Sequence, residues 1–200
     1  MVEQQLRRRG IHDERVLRTM EEVPRHEFIP EERRHRAYHD EPVPIGEEQT
    51  ISQPYIVAIM TQLLAVEPES RVLEVGTGTG YQAAVLSRLA RQVYTMERHA
   101  SLAERAQEIF RRLGYENIEV VVGDGTRGLV EHAPYDRMLV AAAAPSIPPA
   151  LLQQLAEGGR MVMPVGSPEM QVLQLVRKSG GEMFTSNLEG CRFVPLVGEE

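Results

Sequence analysis

The sequence predicts an α/β fold, with a mostly parallel central sheet, helices on both faces and a helical segment laid over it at the N-terminus. Three observations carry the prediction. From residue 54 onward, strand-like runs alternate with helix-like ones. The strand-like runs are apolar without polar alternation, as expected of strands covered on both faces. A glycine-rich turn, Gly76-Thr77-Gly78-Thr79-Gly80, separates the first of these strands from its helix. Glycines there permit tight turning and close backbone approach to a ligand.

Taken in chain order, residues 13–22 (DERVLRTMEE) open on Asp13, a helix-start residue, and place Val16, Leu17 and Met20 at helical spacing. The stretch that follows is broken by Pro24, Pro30, Pro42 and Pro44 and reads as short helices and extended turns. Residues 1–50 are therefore expected to form a helical cap. Ser52 or Gln53 before Pro54 reads as the start of a helix over about 54–65, since Ser can cap orphan amides and Pro suits the first turn. Strands are predicted at 71–76, 92–98, 118–125, 135–144 and 159–166, with helices at 80–90, 100–113 and 149–155. Two further strand-like stretches, 171–177 and 190–197, are separated by the turn SGGEM and no helix, which predicts an antiparallel hairpin at the end of the sheet. The chain, 1–200, reads as one domain, with 1–50 as cap and 51–200 as sheet.

Composition excludes several functions. No apolar run approaches the ~20 residues of a membrane span, and the charged N-terminus is followed by no apolar segment, so neither a membrane protein nor a secretory signal is expected. The formal charge of −7 argues against a nucleic-acid binder. The run Arg7-Arg8-Arg9 lies among acids on an expected helix and reads as a solvated face. One cysteine, Cys191, leaves no internal disulfide and no cysteine metal cage, which suggests a reducing, cytoplasmic setting. His26, His35 and His39 fit no usual zinc spacing and read as surface or capping residues, so no metal is expected.

The ends of three strands carry the chemistry. The turn 76–80 is not a dinucleotide fingerprint, because position 81, where the third glycine of that pattern would fall, is Tyr. No Lys-Ser/Thr pair follows, so it is not a phosphate loop either. Glu97, twenty-one residues after Gly76, suits both hydroxyls of a ribose; taken alone it could equally be a solvated strand-end acid. Asp124, in VVVGDG, could accept a hydrogen bond from an adenine amino group or simply form an Asp-Gly turn. Together they describe an adenosine site with no second nucleotide and no phosphate clamp, which suits S-adenosylmethionine better than NAD. Glu74 could hold the methionine ammonium through water. A carboxylate-lined mouth tolerates a cationic sulfonium where it would repel a pyrophosphate.

Six segments make the sequence similar to the protein-L-isoaspartate O-methyltransferases: VPRHEFIP (23–30), QTISQPYIVAIM (49–60), VLEVGTGTGYQAAVL (72–86), VVGDG (121–125), AAAAPSIPPALLQQLAEGGRMVMPVG (141–166) and RFVPL (192–196). The resemblance implies a Rossmann-like S-adenosylmethionine-dependent methyltransferase fold. It implies transfer of a methyl group to the free α-carboxylate of L-isoaspartyl residues in proteins and peptides, with S-adenosylhomocysteine as product. By the same resemblance Thr50, Ile51 and Ser52 border cofactor and acceptor, and Ser52 is the active-site serine. Glu74, Gly76, Thr77, Gly78, Gly80, Glu97, Arg98, Asp124 and Gly125 complete the cofactor set, and Val194, Pro195 and Leu196 lie near the substrate main chain. A monomer is expected. The runner-up is an S-adenosylmethionine-dependent methyltransferase acting on a small molecule, which leaves TISQPY and RFVPL unexplained. Glu48, where the family often has Gly, departs from the pattern, as do Ala141 and Cys191; the thiol reads as structural.

Overall fold

The structure is a computed structural model, and it describes residues 1–198. Helical turns over residues 2–9 lead into α1 (Glu14–Glu22), whose first amides are capped as the sequence predicts: the Asp13 carboxylate accepts from the backbone of Arg15 and Val16. Short helical turns at 25–28 and 31–36 follow. The chain then forms a small antiparallel hairpin, β1 (Val43–Gly46) and β2 (Gln49–Ile51). The sequence reading had only turns and a helix start here. Pro44 masks β1, yet a two-stranded ribbon has free edges where proline is tolerated.

The α2 helix (Pro54–Leu64) starts at Pro54 as expected, but neither Ser52 nor Gln53 caps it with a side chain. Asp40 does so from across the cap, accepting the Tyr55 amide on Oδ1 at 3.1 Å and the Gln53 side-chain amide on Oδ2 at 2.7 Å. Beyond it run β3 (Arg71–Val75), α3 (Tyr81–Ser87), β4 (Gln92–Glu97), α4 (Ala100–Leu113), β5 (Ile118–Val122), β6 (Tyr135–Val140), α5 (Pro149–Gln154), β7 (Leu155–Gly166), β8 (Gln171–Ser179) and β9 (Glu182–Cys191). These seven strands form one sheet in the order β5-β4-β3-β6-β7-β8-β9. The first five in that order are parallel, and β8 and β9 are antiparallel additions.

The closing hairpin is present but displaced from its expected position. Its second strand is 182–191, not 190–197, and the turn is Gly180-Gly181, both at positive φ. Most of β9 is exposed, so it lacks the apolar signature that marks the buried strands. Residues 193–197 are apolar and fold back over the strand tips, where Pro195 bridges Ala143. Neighbouring residues of β3 feed opposite faces: Val72 joins the core under the cap, α2, α3 and α4, and Leu73 joins the core under α5. Each such side chain contributes roughly 1.5–3 kcal/mol by leaving water.

Candidate active site

After β3 the chain builds outward through β4 to β5, then returns to place β6 on the other side of β3. A parallel sheet opens a crevice at such a reversal, beyond the carboxyl ends of its strands. A cleft of about 840 Å³ lies there. Its floor is Gly76, Thr77 and Gly78 after β3, Glu97 and Arg98 at the end of β4, and Gly123 and Gly125 after β5. Thr50, Ile51 and Ser52 form its rim on one side, and Val194, Pro195 and Leu196 line the far wall.

The floor is shaped by backbone. The amides of Gly76 and Thr77 both donate to the Met96 carbonyl, at 2.8 and 3.1 Å. Gly76 sits at φ +98°, where L side chains are strained, and a Cβ there would touch Ala141 at 3.4 Å. The Glu97 carboxylate is buried and pinned at the strand tip: one oxygen accepts the Gly78 amide at 2.9 Å, the other the His99 amide at 3.0 Å. A carboxylate oxygen accepts more than one hydrogen bond, so Glu97 can still receive hydroxyls.

Three of the sequence-derived residues lie off the cleft surface. Glu74 is fully buried behind the glycine turn. One of its oxygens accepts from the Thr95 hydroxyl, which also meets the Thr77 hydroxyl at 2.7 Å; Oε1 has no partner among the described residues. Burial pushes the Glu74 carboxyl up to about 8, the charge of Glu97 adds to this, and the Thr95 hydrogen bond opposes it. Asp124 turns its carboxylate to the Thr126 amide (2.9 Å) and hydroxyl (2.7 Å), shaping the turn beneath the cleft. Gly80 is bare for packing reasons, since a Cβ would meet the Phe110 ring at 2.4 Å.

The rim and far wall are anchored to the fold. Residue 193 is clamped at both its backbone groups by the Gln171 side chain, at 2.7 and 3.1 Å. The Val194 carbonyl and Leu196 amide both bond the backbone of Ala143, at 2.8 and 2.7 Å. Ser52 is half-buried; its carbonyl accepts from Arg25 at 2.7 Å. Cys191, also lining the cleft, has its thiol pushed up to about 11 by burial and by Glu189, so it is protonated at neutral pH.

Sequence reasoning missed a cluster at the open end. Arg9 lines the cleft, stacking 3.5 Å above the Tyr55 ring and pairing with Asp40 at 2.5 Å. The Tyr55 hydroxyl donates to Glu189 at 3.2 Å. Arg7, Arg8 and Arg9 are all exposed, as a solvated face would be, but Arg9 also reaches over the cleft while Arg7 pairs with Glu14. No local pattern announces this cluster, because its members come from four distant segments. His26 meets the Tyr38 hydroxyl at 2.6 Å and His39 lies 3.6 Å from Glu41; among the described residues no group of three or more metal-capable side chains converges.

Comparison with known proteins agrees with this architecture. A model of the family described as protein-L-isoaspartate(D-aspartate) O-methyltransferase matches residues 1–200. The protein-L-isoaspartate O-methyltransferase of Koribacter versatilis is 57% identical over 200 residues, covering 100% of this chain and 90% of its own. That of Methanoculleus marisnigri is 54% identical over 199 residues, again covering 100% of this chain and 90% of the relative. A solved protein-L-isoaspartate O-methyltransferase superposes with a TM-score of 0.87 at 32% identity, covering 99% of this chain; the chain spans 66% of that protein's length. A Plasmodium falciparum structure described under the same family name, in complex with S-adenosyl-L-homocysteine, superposes with a TM-score of 0.84 at 29% identity, covering 96% of this chain and 94% of its own. With a matching sheet, a cleft at its switch point and relatives of more than 50% identity along the full chain, this protein belongs to the protein-L-isoaspartate(D-aspartate) O-methyltransferase family.

Proposed function

We propose that this cleft methylates the free α-carboxylate of L-isoaspartyl residues in damaged proteins and peptides, using S-adenosyl-L-methionine, and that Ser52 orients the acceptor. One observation carries the reading of Ser52. Its loop borders both halves of a single cleft, the glycine-turn half with Glu97 and the half lined by 194–196. A donor placed at that junction can hold an acceptor close to a cofactor methyl.

The residues fit the cofactor. Glu97 has spare acceptor capacity for a ribose. The Glu74 Oε1 behind the turn, without a partner among the described residues, suits a water-linked ammonium. Gly76 and Gly125 bring bare backbone to the floor; at Gly125 a Cβ would lie 2.3 Å from Val75. When bound, the cofactor supplies an electrophilic methyl on a cationic sulfonium and leaves as S-adenosyl-L-homocysteine. The acceptor carboxylate is ionised near neutral pH and needs no general base. The chain's part is alignment: Ser52 donates to the carboxylate, and the wall at 194–196 holds the peptide backbone, which tolerates many flanking sequences. The following backbone amide nitrogen then attacks the methyl ester carbonyl, expelling methanol and closing a succinimide spontaneously, and hydrolysis of the succinimide returns some normal aspartate.

We read residues 1–200 as one domain, acting as a monomer in the cytoplasm without nucleic-acid partners. No helix of the described residues is long and apolar enough to cross a membrane. The decisive assay is labelled methyl transfer to an isoaspartyl peptide beside its aspartyl twin. Transfer to the first alone is expected, and Ser52→Ala should slow it by about 100-fold, the scale of losing one positioning group. Equal transfer to both peptides would redirect the function to another acceptor, and a Ser52→Ala protein at full rate would remove the role given to Ser52.

A further inference from the structure

Arg25 lies at the centre of the cap with no solvent exposure at all, in the segment VPRHEFIP. A buried guanidinium costs several kcal/mol in lost hydration unless its surroundings replace the water. Here the replacement is specific but partial, since Nη1 is buried with no hydrogen-bond partner among the described residues. Nε donates to the Ala37 carbonyl at 2.8 Å and Nη2 to the Ser52 carbonyl at 2.7 Å. The guanidinium carbon stands 4.8 Å from the centroid of the Tyr81 ring, and Tyr81 is the first residue of α3, directly after the glycine turn. Burial pulls the pKa of Arg25 down to about 10, which leaves it cationic at neutral pH.

A side chain needed only to fill this volume could be apolar. What an apolar residue lacks is the planar guanidinium that bonds the cap at 37 and the rim loop at 52 while facing the Tyr81 ring. The neighbouring residues of the rim are held from the same side, Gln53 and Tyr55 both bonding Asp40. The peptide after Ser52 therefore cannot rotate without breaking a part-buried charge-assisted hydrogen bond. A misplacement of about 1 Å in a reacting site can cost about 100-fold in rate.

We propose that Arg25 is a positioning residue for methyl transfer: by holding the Ser52 carbonyl against the cap it aims the Ser52 hydroxyl at the acceptor carboxylate. The inference rests on the role of Ser52 given above. It also gives the cap a catalytic purpose, since the rim loop is held in place chiefly by cap residues.

The test compares Arg25→Lys and Arg25→Met with the parent protein, each also in a Ser52→Ala background. Thermal unfolding and calorimetric S-adenosylhomocysteine binding serve as controls for folding and for the cofactor half of the cleft. Lys keeps the charge but loses the planar guanidinium, and it carries the test if the Met variant does not fold. The expected result is a kcat for isoaspartyl peptide lowered by roughly 10- to 100-fold, with S-adenosylhomocysteine affinity held within about 2-fold. In the Ser52→Ala background the loss should vanish, because residues acting as a unit are non-additive. Full kcat in the Lys variant, or an undiminished loss without the Ser52 hydroxyl, would overturn the proposal while leaving the function intact. A parent protein inert toward the isoaspartyl peptide would sink both.

Discussion

Glu74 and Glu97 leave neighbouring strands and end in different environments. Glu97 has two backbone amides on its carboxylate and stands at the cleft surface. Glu74 has one hydroxyl, no solvent and an oxygen with no partner among the described residues. Its pKa rises from 4.5 to about 8 on folding, chiefly through burial. The folded state thus holds this proton more tightly than the unfolded state does. The stability it contributes is complete below about pH 4.5 and is lost as pH rises through about 8. The cofactor-free protein should lose stability over that window, and Glu74→Gln, which cannot ionise, should flatten the loss. Urea unfolding from pH 5 to 9 checks this, and equal slopes in the two proteins would show that Glu74 is already charged. The acidic residue itself was legible from its place beside the glycine turn; its complete burial was not, since burial depends on what packs behind it.

The β1–β2 hairpin is the element where sequence reasoning failed most clearly. Its turn residues, Glu47 and Glu48, both adopt left-handed backbone, at φ +49° and +55°. Such turns favour Asn-Gly, and each non-glycine residue there costs on the order of 1 kcal/mol. The turn is also tied to the start of α4, where the Ser101 hydroxyl donates to the Glu47 carboxylate at 3.0 Å. Relieving the strain with the double substitution Glu47→Asn, Glu48→Gly should raise global stability by about 1 kcal/mol, measured by chemical denaturation. A loss of stability would mean that the bond to Ser101 outweighs the strain. Glu48 had drawn notice as a departure from the family pattern, but two short strands around an unfavourable turn give no alternating signal to read. The last strand was misplaced for a related reason: β9 is largely exposed, while the apolar stretch 193–197 serves the cleft wall.

At the scale of the molecule, what was legible is what physics repeats along the chain. The central strands β3, β4 and β6 are largely buried because helices cover both faces, so the type of the sheet and its ligand side could be read directly, whereas β5 at the edge is half-exposed. The supports of the rim could not, because they are long-range. Asp40 reaches Tyr55 and Arg25 reaches Ser52 across turns that carry no periodicity. The cap and the sheet are thus joined at the loop on which the proposed acceptor step depends. The most direct measurement of that arrangement is a crystal structure with S-adenosylhomocysteine and an isoaspartyl peptide bound together. The nucleoside should lie over the glycine turn with its ribose on Glu97, and the peptide's free α-carboxylate should meet the Ser52 hydroxyl beside the cofactor sulfur. A nucleoside seated away from the tips of β3, β4 and β5, or a carboxylate remote from residue 52, would contradict the account.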